Sequence, residues 1–414
     1  MFRITTAQSF ESGIDRLQQR QQDLSEAQQR LTSGKRVSRA SDDPTAAARA
    51  ERALATVARG EANQRAVEAS RSAMTLTEGA LADAGELMHQ AREALVAAGN
   101  GAYGDAERAG LADRLSAIRQ QLFAVANRAT PDGGYVFGGQ GAGQAPFIDA
   151  AGGVQFRATA GEGQVASDEP LQRSVDGVAT WLATPSGNGL FETRSAASAP
   201  NVSGSWIDSG RVVDPQTFYA ATSPPAVANP AALVYRVDFT STPTGTTYSI
   251  LKDGAATAVT NIPYVSGQAM QVDGMAFSVT GPPAAGDAFE VRLAAPSRGV
   301  FDTLDRSIAE LRTPLRTSAS VAQGLQRALA DVDGSFGALL SLRSRVGEVL
   351  NRADLVTGRI DAQTLAAQTE RSQAEDLDMV KAISEFQNQQ AGYQAALQTY
   401  SMVQRMSLFQ YLNT

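Results

Sequence analysis

Residues 67–98 read VEASRSAMTLTEGALADAGELMHQAREALVAA, and this stretch decides the fold. Large apolar side chains recur in it every seven residues, at Val67, Met74, Leu81, Met88 and Leu95. Small side chains follow three residues after each of them, at Ser70, Thr77, Ala84, Ala91 and Ala98. A seam in which large residues face small ones lets two helices approach closely. The stretch therefore predicts a long helix in coiled-coil packing, with an ordinary helical bundle as the alternative.

Similar seven-residue series occur near both ends of the chain. One series comprises Leu325, Val332, Leu339, Val346, Ala353 and Ile360. The N-terminal series comprises Phe10, Leu17, Leu24 and Leu31, and the C-terminal one comprises Met379, Phe386, Tyr393 and Tyr400 with Ile383 and Leu397 between them. Because the repeats lie at both ends, we expect the two ends to pack together as one long antiparallel helical stalk.

The middle of the chain has a different composition. Of the 16 prolines, all except Pro44 and Pro314 lie between Pro131 and Pro296. Proline interrupts helices because it lacks a backbone N–H and clashes with the preceding turn. Four short stretches with half-buried strand patterns lie there instead, at 233–239, 248–251, 276–279 and 289–293. The segment from about 184 to 232 is rich in Ser, Ala, Pro and Gly and is expected to form long loops.

These patterns predict an α+β protein of several domains, with a β-rich middle domain inserted into a helical coiled-coil stalk. We expect a terminal helical domain from 1–42 with 375–414. A second helical domain is expected from 43–140 with 297–374, and the β-rich outer domain from 141–296.

Composition excludes several classes of function. The chain has no cysteine and one histidine, His89, so disulfides, thiolate metal sites and most imidazole chemistry are not expected. The net charge of −7 disfavours nucleic acid as a partner. The N-terminus has no signal-peptide pattern, and no apolar run is long enough to span a membrane, so we predict no cleaved signal and no membrane contact.

Three local motifs were weighed as candidate sites. The glycine-rich segment 133–143 lacks the strand, helix and lysine of a phosphate-binding loop, so it is interpreted as a domain junction. The basic cluster of Arg30, Lys35, Arg36 and Arg39 is interpreted as a solvated patch or as a contact to an acidic neighbour. Asp42 and Asp43 precede Pro44 and are predicted to cap a helix rather than bind metal. With no catalytic motif recognised, we predict that the chain is not an enzyme and has no cofactor or metal.

Two terminal segments carry a resemblance to a known family. QRLTSGKRV at 29–37 and SDDPTAAARA at 41–50 resemble the shared signature of the flagellin superfamily. AALQTYS at 395–401 and SLFQYL at 407–412 are similar to the ends of its hook–filament junction members rather than of filament flagellins. GDAFEV at 286–291 also resembles a recurring segment of those members.

The resemblance implies a structural part of the bacterial flagellum, located outside the cell, that joins hook-associated proteins to the filament. Filament flagellin itself is the alternative. The implied export route is the flagellar type III apparatus, read from an uncleaved N-terminus. The implied partners are further copies of the chain in a ring or helix, the first hook-associated protein, flagellin, and an export chaperone as a further candidate.

The terminal stripes are expected to carry the subunit contacts. The predicted packing residues are Phe10, Leu17, Leu24, Leu31, Ile383, Phe386, Tyr393, Leu397 and Tyr400. Glutamines at seam positions, Gln21, Gln28, Gln390 and Gln404, leave too little apolar surface to order two isolated helices. We therefore predict that residues 1 to about 42 and about 375 to 414 are disordered or loosely ordered in the free subunit and become ordered when neighbours bind.

Overall fold

The computed structural model describes residues 6–165, 168–184, 186–196, 203–224, 227, 229–243, 245–294 and 298–412. Side chains are described within these ranges except at 6–10, 231 and 403–412. Within the described residues, helices occupy both ends of the chain and strands occupy the middle. The predicted α+β fold class is confirmed.

Among the described residues, four long α-helices form the two ends of the chain, and four shorter α-helices lie between them. Their bounds are α1 Thr6–Ser33, α2 Pro44–Ala98, α3 Asp105–Ala126, α4 Gly177–Trp181, α5 Pro215–Thr222, α6 Val300–Arg312, α7 Ser318–Glu375 and α8 Met379–Leu412. Proline is absent from the interiors of α2 and α7, and both are rich in alanine, the strongest helix former.

Helices α2 and α7 pair antiparallel through the heptad seam. Glu78 accepts a hydrogen bond from Arg343 at 2.9 Å, and Arg92 donates to Asp333 at 2.7 Å. The residue number of the α7 partner falls as the residue number on α2 rises, so the two helices run in opposite directions. The α2 heptad residues are at most 1% exposed, and Val332, Leu339, Val346 and Ala353 on α7 are also buried. The large–small pattern of the sequence therefore matches the buried stripe.

An aromatic cluster closes one side of this helical core, where α3 packs against α6. Trp181 stacks on Phe301 at 5.6 Å between ring centroids and meets the edge of Phe137 at 5.3 Å. Phe147 and Phe301 are fully buried in the same cluster. Residues 147–181, which the sequence assigned to the β-rich domain, thus contribute side chains to the helical core.

The strands of the middle region pair antiparallel. Their bounds are β1 Phe147–Ala150, β2 Gly153–Phe156, β3 Gly163–Gln164, β4 Gln172–Ser174, β5 Phe191–Ser195, β6 Trp206–Ile207, β7 Arg211–Val212, β8 Val234–Thr242, β9 Gly245–Lys252, β10 Ala255–Ala256, β11 Ile262–Pro263, β12 Ala269–Val272, β13 Met275–Thr280 and β14 Ala288–Leu293. One sheet has the order β10-β9-β8-β14-β5, with β11 also paired to β9. A second has the order β12-β13-β6, with β7 also on β13, and β1-β2 and β3-β4 are separate pairs.

All four strand stretches predicted from the sequence coincide with observed strands, β8, β9, β13 and β14. The expectation of long loops over 184–232 is wrong in part, because β5, β6, β7 and α5 lie in that segment. β5 is held by β14, whose Val291 is the register partner of Thr193. A second hydrophobic core, which includes Tyr235, Val237, Ile250, Phe289 and Val291, lies among these strands.

The chain divides into two compact units. The first comprises residues 1–65 with 355–414, and the second comprises residues 66–354. Both boundaries fall inside the long helices α2 and α7 rather than at the turns that precede α2 and follow α7. The three-domain division drawn from the sequence stays a prediction.

Candidate assembly surface on the terminal helices

The first unit is built on the antiparallel pair α1 and α8. A Cβ added to Gly13 would lie 3.7 Å from the ring of Tyr400, and Arg20 of α1 lies against Gly392 of α8. The N- and C-terminal stripes therefore lie side by side, as the heptads predict.

The seam between these helices is only half closed. Leu17, Leu24 and Leu31 of α1 are half-buried, as are Phe386, Tyr393 and Tyr400 of α8. Ile383 and Leu397 are exposed, at 44% and 43%. Phe10 lies in α1, and its side chain is outside the described residues. The described members of the predicted packing set thus share one helix pair, and its apolar stripe keeps much of its contact with water.

Further apolar side chains of the same unit are exposed. They are Leu54, Leu355, Leu365, Met379, Val380 and Met402, of which Val380 is 83% exposed. They lie outside the predicted packing set, although Met379 belongs to the C-terminal heptad series. Exposed apolar residues also occur on the second unit, among them Leu315 at 93%, so it is their position beside the half-closed seam that indicates a protein-binding surface here.

The exposed face of α8 is also poor in charge. Between Glu385 and Arg405 the chain has no charged side chain and is rich in glutamine. Interfaces are depleted of charged residues at their centres, because a buried charge loses its hydration. This composition suits a surface that is covered by another protein.

The two adjacent aspartates before α2 have different roles. The Asp43 carboxylate accepts hydrogen bonds from the backbone N–H groups of Ala46 at 3.0 Å and Thr45 at 3.2 Å, at the first turn of α2. Bonding to Ala46, then to the hydroxyl of Thr45 and to Arg36, lowers the pKa of Asp43 to about 2.

Asp42 does not cap this helix, so its predicted role is corrected. Its carboxylate accepts from the backbone N–H groups of Arg39 at 2.9 Å and Ser38 at 3.0 Å, which closes the preceding turn. These two bonds, that of Arg39 first, lower the pKa of Asp42. The two adjacent carboxylates therefore accept hydrogen bonds from different backbone segments, Asp42 from the turn before it and Asp43 from the first turn of α2.

The basic cluster belongs to the structure of the same unit. Arg30 pairs with Glu26 along α1, Lys35 with Glu375 at 3.2 Å, and Arg36 with Asp43 at 3.2 Å. Carboxylates of the chain itself therefore face three of its four cations, so within the subunit these cations have partners other than the solvent or acidic neighbour of the sequence-based interpretation.

No cluster of His, Cys, Asp or Glu suited to hold a metal ion occurs among the described residues. The described helices also include none that is both long and apolar enough to cross a membrane.

The chain matches two models of flagellin regions. Residues 4–142 match the bacterial flagellin N-terminal helical region, and residues 329–412 match the bacterial flagellin C-terminal helical region. Together these matches span more than half of the chain.

The chain belongs to the bacterial flagellin family. The two matched regions contain all of the helices α1, α2, α3 and α8 and most of α7. The half-closed seam of α1 and α8 is therefore a feature of the flagellin regions and not of the β-rich middle.

Within the flagellin family, the chain is similar to hook-associated proteins. It is 28% identical to flagellar hook-associated protein 3 of Salmonella typhimurium, over 55% of this chain and 68% of that protein. It is 22% identical to the Escherichia coli protein of the same name, over 99% of both chains. The solved structure of the flagellar junction protein FlgL from Legionella pneumophila is 26% identical, with a TM-score of 0.63 over 71% of this chain and 95% of that one. These similarities confirm the resemblance predicted from the sequence.

Proposed function

We propose that this chain is a structural component of the bacterial flagellum that joins hook-associated proteins to the flagellin filament, without enzymatic chemistry. The main support is the half-closed apolar seam of α1 and α8, on which Ile383 and Leu397 are exposed, Leu397 within the stretch between Glu385 and Arg405 that lacks charge. A protein that works by itself would gain stability by covering these side chains. A protein that works by assembly needs them available.

The proposed mechanism is ordering on assembly. Leu17, Leu24 and Leu31 bury only part of their surface within the subunit. Fixing a helix costs roughly 1 to 2 kcal/mol per residue in backbone entropy, and a half-open seam offsets this cost poorly. Neighbouring subunits would supply the missing apolar surface, so that helix ordering and subunit contact occur together.

The proposed partners follow from this position in the flagellum. They are further copies of the chain in a ring or helix, the first hook-associated protein on one side and flagellin on the other, with an export chaperone as a candidate before assembly. The proposed location is extracellular, after export without a cleaved signal. Filament flagellin is the less favoured alternative, since the curated relatives are named hook-associated protein 3.

Deletion of the gene in its host tests the proposal. Loss of the junction should leave cells with hooks but without filaments and should release flagellin monomers into the medium, and the full-length chain should restore filaments. An antibody against the β-rich region should label a short zone between hook and filament in electron micrographs. Labelling along the whole filament would instead support the flagellin alternative, and filaments of normal length in the deletion strain would refute the proposal.

A further inference from the structure

Two connections of the first unit, far apart in sequence, lie against each other. Residues 34–37, which follow α1, pair with residues 374–377, the end of α7 and the start of its connection to α8, and we call this arrangement the clasp. The backbone N–H of Arg36 donates to the carbonyl of Glu375 at 2.7 Å, and that of Leu377 donates to the carbonyl of Gly34 at 2.9 Å. Lys35 and Asp376 form an antiparallel bridge between the two segments.

Side chains reinforce the clasp. The Arg36 guanidinium donates to the carbonyl of Ala374 at 2.7 Å, and the Lys35 ammonium lies 3.2 Å from the Glu375 carboxylate. Val37 is buried at 7% exposure. Gly34 has a φ of +70°, a conformation that favours glycine. The segment SGKRV, singled out in the sequence as part of a family signature, thus has a structural role in this chain.

The seam that the clasp adjoins is ambiguous in its register. Along α1 the half-buried positions 17, 24 and 31 all carry leucine, and along α8 the positions 386, 393 and 400 all carry aromatic rings. Sliding α1 by one heptad, roughly 10 Å at 1.5 Å per residue, would bring the same leucine series alongside the same aromatic series, displaced by one repeat. The contact at Gly13 does not prevent such a shift, since a Cβ there would meet Tyr400 at an ordinary contact distance, whereas Gly392 gives room to the Arg20 side chain in the observed register.

The connections differ in how much sliding they permit. Residues 376–378 between α7 and α8 are too few to let α8 shift far from the end of α7. Residues 34–43 between α1 and α2 could span roughly 30 Å when extended, so their length alone does not fix α1. The hydrogen bonds of the clasp hold the start of this longer connection at one place.

We propose that the clasp sets the heptad register of α1 against α8. It does so by bonding residues 34–37 to residues 374–377, which are themselves fixed by the end of α7. This inference concerns the register of α1 and α8 whenever they pair, including in the loosely ordered pair of the free subunit, and does not depend on where the assembled protein sits in the flagellum.

Cysteine crosslinking can test the register, because the chain has no native cysteine. Arg20→Cys with Gly392→Cys reports the observed register, since these two positions are adjacent. Arg20→Cys with Glu385→Cys, or with Thr399→Cys, reports a shift of one heptad in either direction. A short bismaleimide would be applied to the full-length monomer at low concentration, with intramolecular yield read by mass spectrometry.

The clasp is broken by Leu377→Pro, which removes the N–H that donates to Gly34, and independently by Gly34→Val, which disfavours the positive φ. Arg30→Ala, which removes an ion pair on α1 outside the clasp, is the matched control. Tryptophan fluorescence would confirm that the second unit, which contains Trp181 and Trp206, remains folded.

With the clasp intact or with Arg30→Ala, only the 20/392 pair should crosslink efficiently. In both clasp variants the 20/392 yield should fall about threefold or more, and a shifted pair should crosslink to a comparable extent. A 20/392 yield within twofold of the intact protein, with no shifted product, would overturn the proposal. Loss of all three crosslinks would overturn it as well, since the clasp would then be needed to keep α1 paired with α8 at all rather than to select one register.

Discussion

Arg298 lies 3.0 Å from the carboxylate of Asp331, a residue of α7 whose side chain is only 3% exposed. The same guanidinium lies 2.8 Å from Glu192 of β5. The backbone N–H of Gly187 donates to the other oxygen of Asp331 at 2.6 Å. This group of contacts links the helical core of the second unit to the sheet of the middle region.

Replacement of Asp331 should therefore destabilise the second unit. Asp331→Ala leaves Arg298 with less charge compensation and the Gly187 N–H without its acceptor, so the free energy of unfolding should fall by about 3 kcal/mol. Denaturant unfolding followed by the fluorescence of Trp181 and Trp206 would measure it. The control is Asp333, which lies on α7 like Asp331 but forms an exposed ion pair with Arg92 of α2. Asp333→Ala should lower the free energy of unfolding by less than about 1 kcal/mol. Equal losses in the two variants would contradict the buried network.

The same Leu→Ala change should have different effects on the two helix pairs. Leu81 of α2 is 1% exposed, so Leu81→Ala should lower the free energy of unfolding by about 3 kcal/mol through lost burial and a cavity. Leu24 of α1 is half-buried, so Leu24→Ala should cost the free subunit less than about 1 kcal/mol. Hydrogen exchange of α1 and of α2 in the intact chain would measure each change locally. Protection of α1 as strong as that of α2 would argue against a seam completed only on assembly.

Two glycines of the segment 133–143, Gly133 and Gly139, have a positive φ that disfavours other residues, and Gly139 is also closely approached by another segment. Gly139 has a φ of +61°, and a Cβ there would overlap the carbonyl oxygen of Thr159. Gly139→Ala should lower the free energy of unfolding by at least about 2 kcal/mol. Gly141→Ala is the matched control, because its Cβ would have no neighbour within 4 Å, and it should change stability by less than about 0.5 kcal/mol. Similar effects at the two positions would exclude a close backbone approach.

Features that depend on local periodicity were predictable from the sequence. The seven-residue spacing from Val67 to Leu95 is a property of one continuous helix, so the buried face could be read without knowledge of its partner. The turn after β9 is local in the same way, because Asp-Gly pairs favour tight turns, and Asp253 and Gly254 both have the positive φ that such turns require.

Features that depend on distant pairing were not predictable. β5 lies opposite β14, about a hundred residues later, and its sequence FETRS has no strong strand pattern. In the clasp, Arg36 and Ala374 are 338 residues apart. The roles of Asp42 and Asp43 could not be separated either. The sequence does not show which backbone N–H groups each of two adjacent carboxylates meets, because this depends on the path of the backbone from Ser38.

The cap of α2 should make helix stability depend on pH in the acid range. The pKa of Asp43 is about 2 in the folded chain and 3.8 ordinarily, so the folded state favours the ionised carboxylate. Its stabilising contribution is therefore present above about pH 4 and is lost as the pH falls towards 2. Asp43→Asn retains a capping side chain that does not titrate, so it should lack this part of the acid dependence. Hydrogen exchange at Thr45 and Ala46 between pH 4 and pH 2 would measure it, and identical profiles for the two proteins would contradict the assignment.

A charge on the exposed face of α8 should block assembly without unfolding the subunit. Ile383 is 44% exposed, so Ile383→Glu should leave the thermal transition of the monomer unchanged, whereas in an interface the carboxylate would lose its hydration. Ile262→Glu, at a 39% exposed isoleucine of β11, introduces the same change outside the terminal helices. In a strain that lacks the native copy, the amount of each variant in sheared flagella would be compared with the amount secreted. We expect Ile383→Glu to reduce incorporation about tenfold or more, equivalent to roughly 1.4 kcal/mol, and Ile262→Glu to reduce it less than twofold. If the two variants were incorporated equally, the surface of α8 around Ile383 would not be a subunit contact.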